Sequence, residues 1–221
     1  EGFWIDSVSY GDLGILKNSH FPLQNVILHG NNKSVDEIRL AIQEGVAYIV
    51  VDNLTELKTI IELSKGFKDK TIQTLFRINP GIEALTHAYI QTSTLSSKFG
   101  ESIFDDHIIK QVLNLYLSQD QVVLKGFHAH IGSQIQNATS YFALVKAMFD
   151  FAKKVETQAE IPISTLNFGG GFGVKYLDDD LELNIKETLT GMVKLCEEYN
   201  QTLDMRIENI MIEPGRSIIA K

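Results

Sequence analysis

Three short stretches of this chain carry residue types that could do chemistry. The first is NFGGGFGV, residues 167–174, where three consecutive glycines follow an apolar run. Such a stretch gives up side-chain packing for bare backbone. It suits a hinge, a sharp turn needing positive φ, or a cradle of N–H groups aimed at one anion. The second is IEPGR, in which Glu213 and Arg216 bracket a Pro214–Gly215 turn. A carboxylate there can hold a protonated nitrogen, and a guanidinium can grip a phosphate or carboxylate with paired bonds. The two could equally pair with each other. The third is GFHAHIGSQ, residues 126–134. On a strand, His128 and His130 share a face, with Gly132 and Ser133 just beyond. With His29 they could ligate a metal. Alternatively, a flat imidazole could stack on an aromatic cofactor while Ser133 bonds a phosphate oxygen, and one of the pair could be a core histidine.

Other candidates carry less. RINPGIEALTHAYIQTSTLSSKFG, residues 77–100, is a long polar connection with Arg77 and Asn79 at a strand end and a possible lid beyond. His20, His87 and His107 form no ligand set. Cys196 falls in the helical pattern ETLTGMVKLCEEYN and reads as packing, not as a nucleophile.

These stretches need elements to hold them. Apolar runs at 3–9, 25–30, 47–52, 74–79, 122–132, 164–170 and 209–215 read as strands buried on both faces of a parallel sheet. Helical patterns lie between them. One has Ser34 as cap, Glu37 in the capping-box position and Gly45 as stop; another closes on Gly66; a third is the long amphipathic SYFALVKAMFDFAKKVE. Alternating βα units imply an α/β fold. The glycines follow the sixth visible run, not the first, which favours a TIM (β/α)8-type barrel with one strand upstream over a doubly wound sheet. Barrel loops after the last two strands often bind phosphate. No linker interrupts the chain, so residues 1–221 read as a single domain.

The net charge of −8 argues against nucleic-acid and anionic-membrane partners. One cysteine excludes an internal disulfide framework and suits a reducing compartment. No apolar run approaches the ~20 residues of a membrane span. The expected location is the cytoplasm.

Taken together, IDSVSYGDL, GNNKS, RINPG, the Thr86–His87, Tyr89 and Thr92 pattern, KFG, GFHAHIGSQ, LNFGGGFG and EPGRSI resemble the N-terminal barrel of the diaminopimelate decarboxylase family, in the alanine racemase-like class. HIGSQ with TH…KFG is closer to that family than to ornithine decarboxylases. The resemblance implies pyridoxal 5′-phosphate as cofactor and decarboxylation of meso-diaminopimelate to L-lysine. Ornithine, arginine or carboxynorspermidine decarboxylation, or a non-catalytic relative that binds the cofactor, are the alternatives. It implies that His130 stacks on the pyridoxal ring, with His128 behind it. Ser133 and the Gly169, Gly170 and Gly171 backbone would hold the phosphate, closed by Pro214, Gly215 and Arg216. Glu213 would bond the pyridine nitrogen, and Arg216 would also reach the substrate. The family's Schiff-base lysine has no matching position: Lys33 and Lys175 belong to other motifs, and QTSTLSSKFG departs from the family's usual TG. The family's C-terminal β-domain has no counterpart either. The expectation is therefore a portion, inactive by itself, of a decarboxylase that is a homodimer at full length.

Overall fold

The computed structural model describes residues 2–82, 99–178 and 182–220. The chain divides into two compact units, Glu1–Ile78 with Phe99–Glu101 and Asp105–Lys125, and Asn79–Lys98 with Ser102–Phe104 and Gly126–Lys221. The THAYIQT pattern, most of the proposed lid and the Lys98 of KFG lie outside the described residues.

The first unit repeats β then α. Its strands are β1 (Ile5–Ser7), β2 (Val26–Leu28), β3 (Tyr48–Val51) and β4 (Ile72–Asn79), parallel in that order. Between and after them run α1 (Tyr10–Asn18), α2 (Val35–Glu44), α3 (Leu54–Ser64) and, beyond the two-residue β5 (Glu101–Ser102), α4 (Asp106–Leu117). Local chemistry fixes the helix ends as the sequence predicts. Ser34 and Glu37 form a reciprocal capping box, and Gly45 takes a left-handed φ of 73°. Asn53 caps α3 by accepting from the Glu56 N–H. The strands are near-continuous buried runs; every residue of β2 and β3 is buried, as two covered faces require.

Strand β6 (Val122–His128) begins in the first unit and ends in the second, where it pairs in parallel with β7 (Thr165–Gly170), and β7 with β8 (Asn209–Glu213). The helices here are α5 (Ala138–Ala159), α6 (Ile185–Thr202) and the short α7 (Gly215–Ile219). Tyr141 of α5 stacks on Phe172 with ring centroids 4.6 Å apart and donates its hydroxyl to Gly170 O at 3.2 Å. That packing ties the glycine turn to the helix layer.

One boundary and one burial pattern differ from the sequence reading. The run at 122–132 is strand only to His128, because its partner β7 enters the glycine turn and Gly132 adopts a φ of 143°. The period of two therefore does not carry through to His130: His128 is buried and His130 is exposed. Strand β8 is half-exposed along its length rather than buried on both faces. Among the described residues, no helix is long and apolar enough to cross a membrane.

Candidate active site at the strand ends of the second unit

The register sets His128 opposite Asn167, Asn167 opposite Met211, and Gly170 opposite Glu213, with a shift between Asn167 and Gly170. The C-terminal ends of β6, β7 and β8 thus lie side by side, where side chains of separate strands can converge. The residues that the resemblance assigns to the cofactor, His130, Ser133, Gly169–Gly171 and Glu213–Arg216, all belong to this unit, whereas the candidate ligand His29 belongs to the first.

The glycine turn is required by close backbone approach. A Cβ at Gly170 would come within 2.0 Å of Glu213 O, and one at Gly171, with φ of 87°, within 2.0 Å of Gly132 O. Two of its amides are committed internally: the Gly169 N–H donates to Asn167 Oδ1 at 2.9 Å, and the Gly170 N–H to His130 Nδ1 at 3.3 Å. The second bond fixes the orientation of an otherwise exposed imidazole.

Glu213, at the end of β8, meets side chains from two other strands. Asn167 Nδ2 donates to its Oε1 at 2.9 Å, and His128 Nε2 lies 3.1 Å from the same oxygen. One residue on, Pro214 caps α7 without any side-chain cap bond. A Cβ at Gly215 would meet nothing within 4 Å, so space opens above the first turn of that helix. Arg216 donates to the Tyr176 hydroxyl at 2.7 Å and reaches Ser133 Oγ at 3.4 Å, which brings two of the predicted anion-binding groups together. Neither Asn167 as a partner of Glu213 nor Tyr176 as a partner of Arg216 is predicted from the sequence. The available signal for the first is an amide in an apolar strand run.

In the first unit, His29 pairs with Asp6 at 3.3 Å. Lys33 is buried, with Nζ 2.6 Å from each of Gly30 O, Val50 O and Glu56 Oε1. Arg77 pairs with Asp52 at 2.8 Å and lies over the Phe99 ring at 5.1 Å. Lys33 is thus a structural cation, while Lys175 is exposed. Cys196 is fully buried in α6, and burial, helped by the Glu197 charge, pushes its thiol up to about 12. A thiol so held is protonated and inert. A disulfide reagent at pH 8 is expected to label the folded protein at least ~10²-fold more slowly than the urea-unfolded chain.

Over its whole length the chain is 35% identical to a diaminopimelate decarboxylase of Staphylococcus aureus, covering 50% of that protein. Among solved structures, a diaminopimelate decarboxylase from M. jannaschii superposes with a TM-score of 0.86 at 30% identity, over 99% of this chain and 49% of that one. The same enzyme in co-complex with L-lysine gives a TM-score of 0.84 at 30% identity, over 97% of this chain and 48% of that one. These likenesses bear out the α/β, TIM-barrel-type fold. The chain spans about half the length of the curated relatives it matches. Residues 1–220 match the pyridoxal binding domain of the pyridoxal-dependent decarboxylases, and the chain belongs to that family.

Proposed function

We propose that residues 1–221 act as the cofactor-holding domain of an enzyme that removes carbon dioxide from the D-centre of meso-diaminopimelate to give L-lysine. The observation that carries this reading is the pairing, at one strand end, of an anchored carboxylate with an anion-binding group. Glu213 accepts from Asn167 with His128 beside the same oxygen, and three residues on Arg216 meets Ser133. The residues fit pyridoxal phosphate: a carboxylate for the ring nitrogen, a fixed imidazole for the ring face, and a guanidinium and hydroxyl for the phosphate.

Bound pyridoxal phosphate supplies an electron sink for the pair left behind when the carbon–carbon bond to carbon dioxide breaks. Glu213 keeps a proton on the ring nitrogen. His130 stacks on the ring, held by the Gly170 N–H. Ser133, Gly215 and Arg216 hold the phosphate, with Pro214 setting the turn, and the Gly169–Gly171 turn keeps side chains out of its way. Arg216 also receives a substrate carboxylate. The full-length protein acts as a cytoplasmic homodimer.

Arg216→Ala is expected to weaken pyridoxal phosphate binding by roughly 10- to 100-fold in an absorbance titration, as loss of a charged hydrogen-bonding group does. Arg216→Lys recovers only part, since an ammonium lacks the planar fork. The substrate assignment is tested by carbon dioxide release from the full-length protein with meso-diaminopimelate, ornithine, arginine and carboxynorspermidine in parallel. A preference for any of the last three overturns it.

A further inference from the structure

Asn167 is 1% exposed, and both ends of its amide are committed. Oδ1 accepts from the Gly169 N–H at 2.9 Å, and Nδ2 donates to Glu213 Oε1 at 2.9 Å. Because a backbone N–H can only donate, the amide has one orientation, and its donor end must face the carboxylate. The Gly169 N–H is itself buried, so the bond that fixes the amide would be costly to lose. The bond to Glu213 is charge-assisted when that carboxylate is ionised. His128 Nε2 of β6 lies 3.1 Å from the same oxygen.

Removing either end of the amide has a distinct consequence. Leucine would leave the Gly169 N–H without its side-chain acceptor. Aspartate would keep that acceptor but turn a second carboxylate oxygen toward Glu213, replacing attraction by like-charge repulsion.

We propose that Asn167 is a positioning residue for Glu213: locked by the glycine turn, its amide fixes the way the carboxylate faces and so sets how strongly the site prefers a ligand with a basic ring nitrogen. The inference rests on the reading that Glu213 meets the pyridine nitrogen. It links the glycine turn to the ring end of the ligand, a role separate from phosphate binding.

The test compares dissociation constants of pyridoxal 5′-phosphate and of its analogue with carbon in place of the ring nitrogen. Both are measured by absorbance titration on full-length wild type, Glu213→Gln, Asn167→Ala and Asn167→Asp. The wild type is expected to prefer the nitrogen-bearing ligand, and Glu213→Gln to abolish the preference. Both Asn167 variants are expected to cut it roughly tenfold while leaving the carbon analogue's affinity within about threefold. Asn167→Asp retains the acceptor for Gly169 N–H, so the comparison survives if Asn167→Ala fails to fold. Equal weakening of both ligands by the Asn167 variants, or an unchanged preference, overturns the positioning role while Glu213→Gln still loses the preference. A wild type without preference, or one that Glu213→Gln leaves intact, overturns the underlying reading of Glu213 and the inference with it.

Discussion

Replacing Glu213 by Gln is expected to lower the turnover number of the full-length enzyme by roughly 10²–10³-fold, the scale on which removal of one preorganised electrostatic partner acts. The substitution keeps size and keeps an oxygen for Asn167 Nδ2 to donate to, so the local packing survives. On the proposed reading, what it removes is the negative charge that would hold a proton on the ring nitrogen, and without that proton the ring would take up the electron pair less readily. KM for the amino acid is expected to change by less than about threefold, because the loss falls on a step after binding. Single-turnover decarboxylation with saturating cofactor checks this. A turnover within threefold of wild type would remove Glu213 from the ring nitrogen.

The residues around Glu213 illustrate what the sequence could and could not disclose. Each of the seven apolar runs overlaps an observed strand, and for those covered on both faces the signal is local, because such a strand must be apolar without alternation. The Ser34–Glu37 capping box and the Gly45 stop are local too, involving bonds within four residues, and the structure reproduces them. The end of β6 is set otherwise. It depends on where β7 turns away, nearly forty residues later, so the apolar run overshoots to 132 while pairing stops at His128. The partner of Glu213 is 46 residues distant and is selected by the β7–β8 register and its shift. Motif reading names Asn167 only as a letter before the glycines. It also takes those glycines as amides offered to an anion, whereas two of the three amides are spent on Asn167 and His130. The two-residue β5 lies beyond a polar connection and has no apolar signature of its own.

The same limit applies to Lys33, whose motif marks a strand end but not its carboxylate partner 23 residues on. Its side chain is 1% exposed and that of Glu56 is 7% exposed, with 2.6 Å between the charges. Burial lowers the pKa of Lys33 and raises that of Glu56, opposing both charges, while their mutual attraction works the other way. Removing one partner leaves the other desolvated, so Lys33→Met is expected to destabilise the protein by about 3–5 kcal/mol, read from urea unfolding. The deficit should depend on pH in a definite direction. Without its cation, Glu56 keeps the burial that raises its pKa, so the folded state binds its proton more readily than the unfolded state does. Stability of the variant therefore falls as pH rises through the carboxyl range, and the deficit at pH 8 shrinks toward pH 5. Lys33→Met with Glu56→Leu is expected to recover part of the loss and to abolish that pH dependence. Recovery stays incomplete because the carbonyls of Gly30 and Val50 lose the ammonium that bridges them. A Lys33→Met variant as stable as wild type at pH 8 would mean that the pair contributes nothing net. A deficit that does not change with pH would mean that the lost carbonyl bonds, and not the stranded carboxylate, carry the cost.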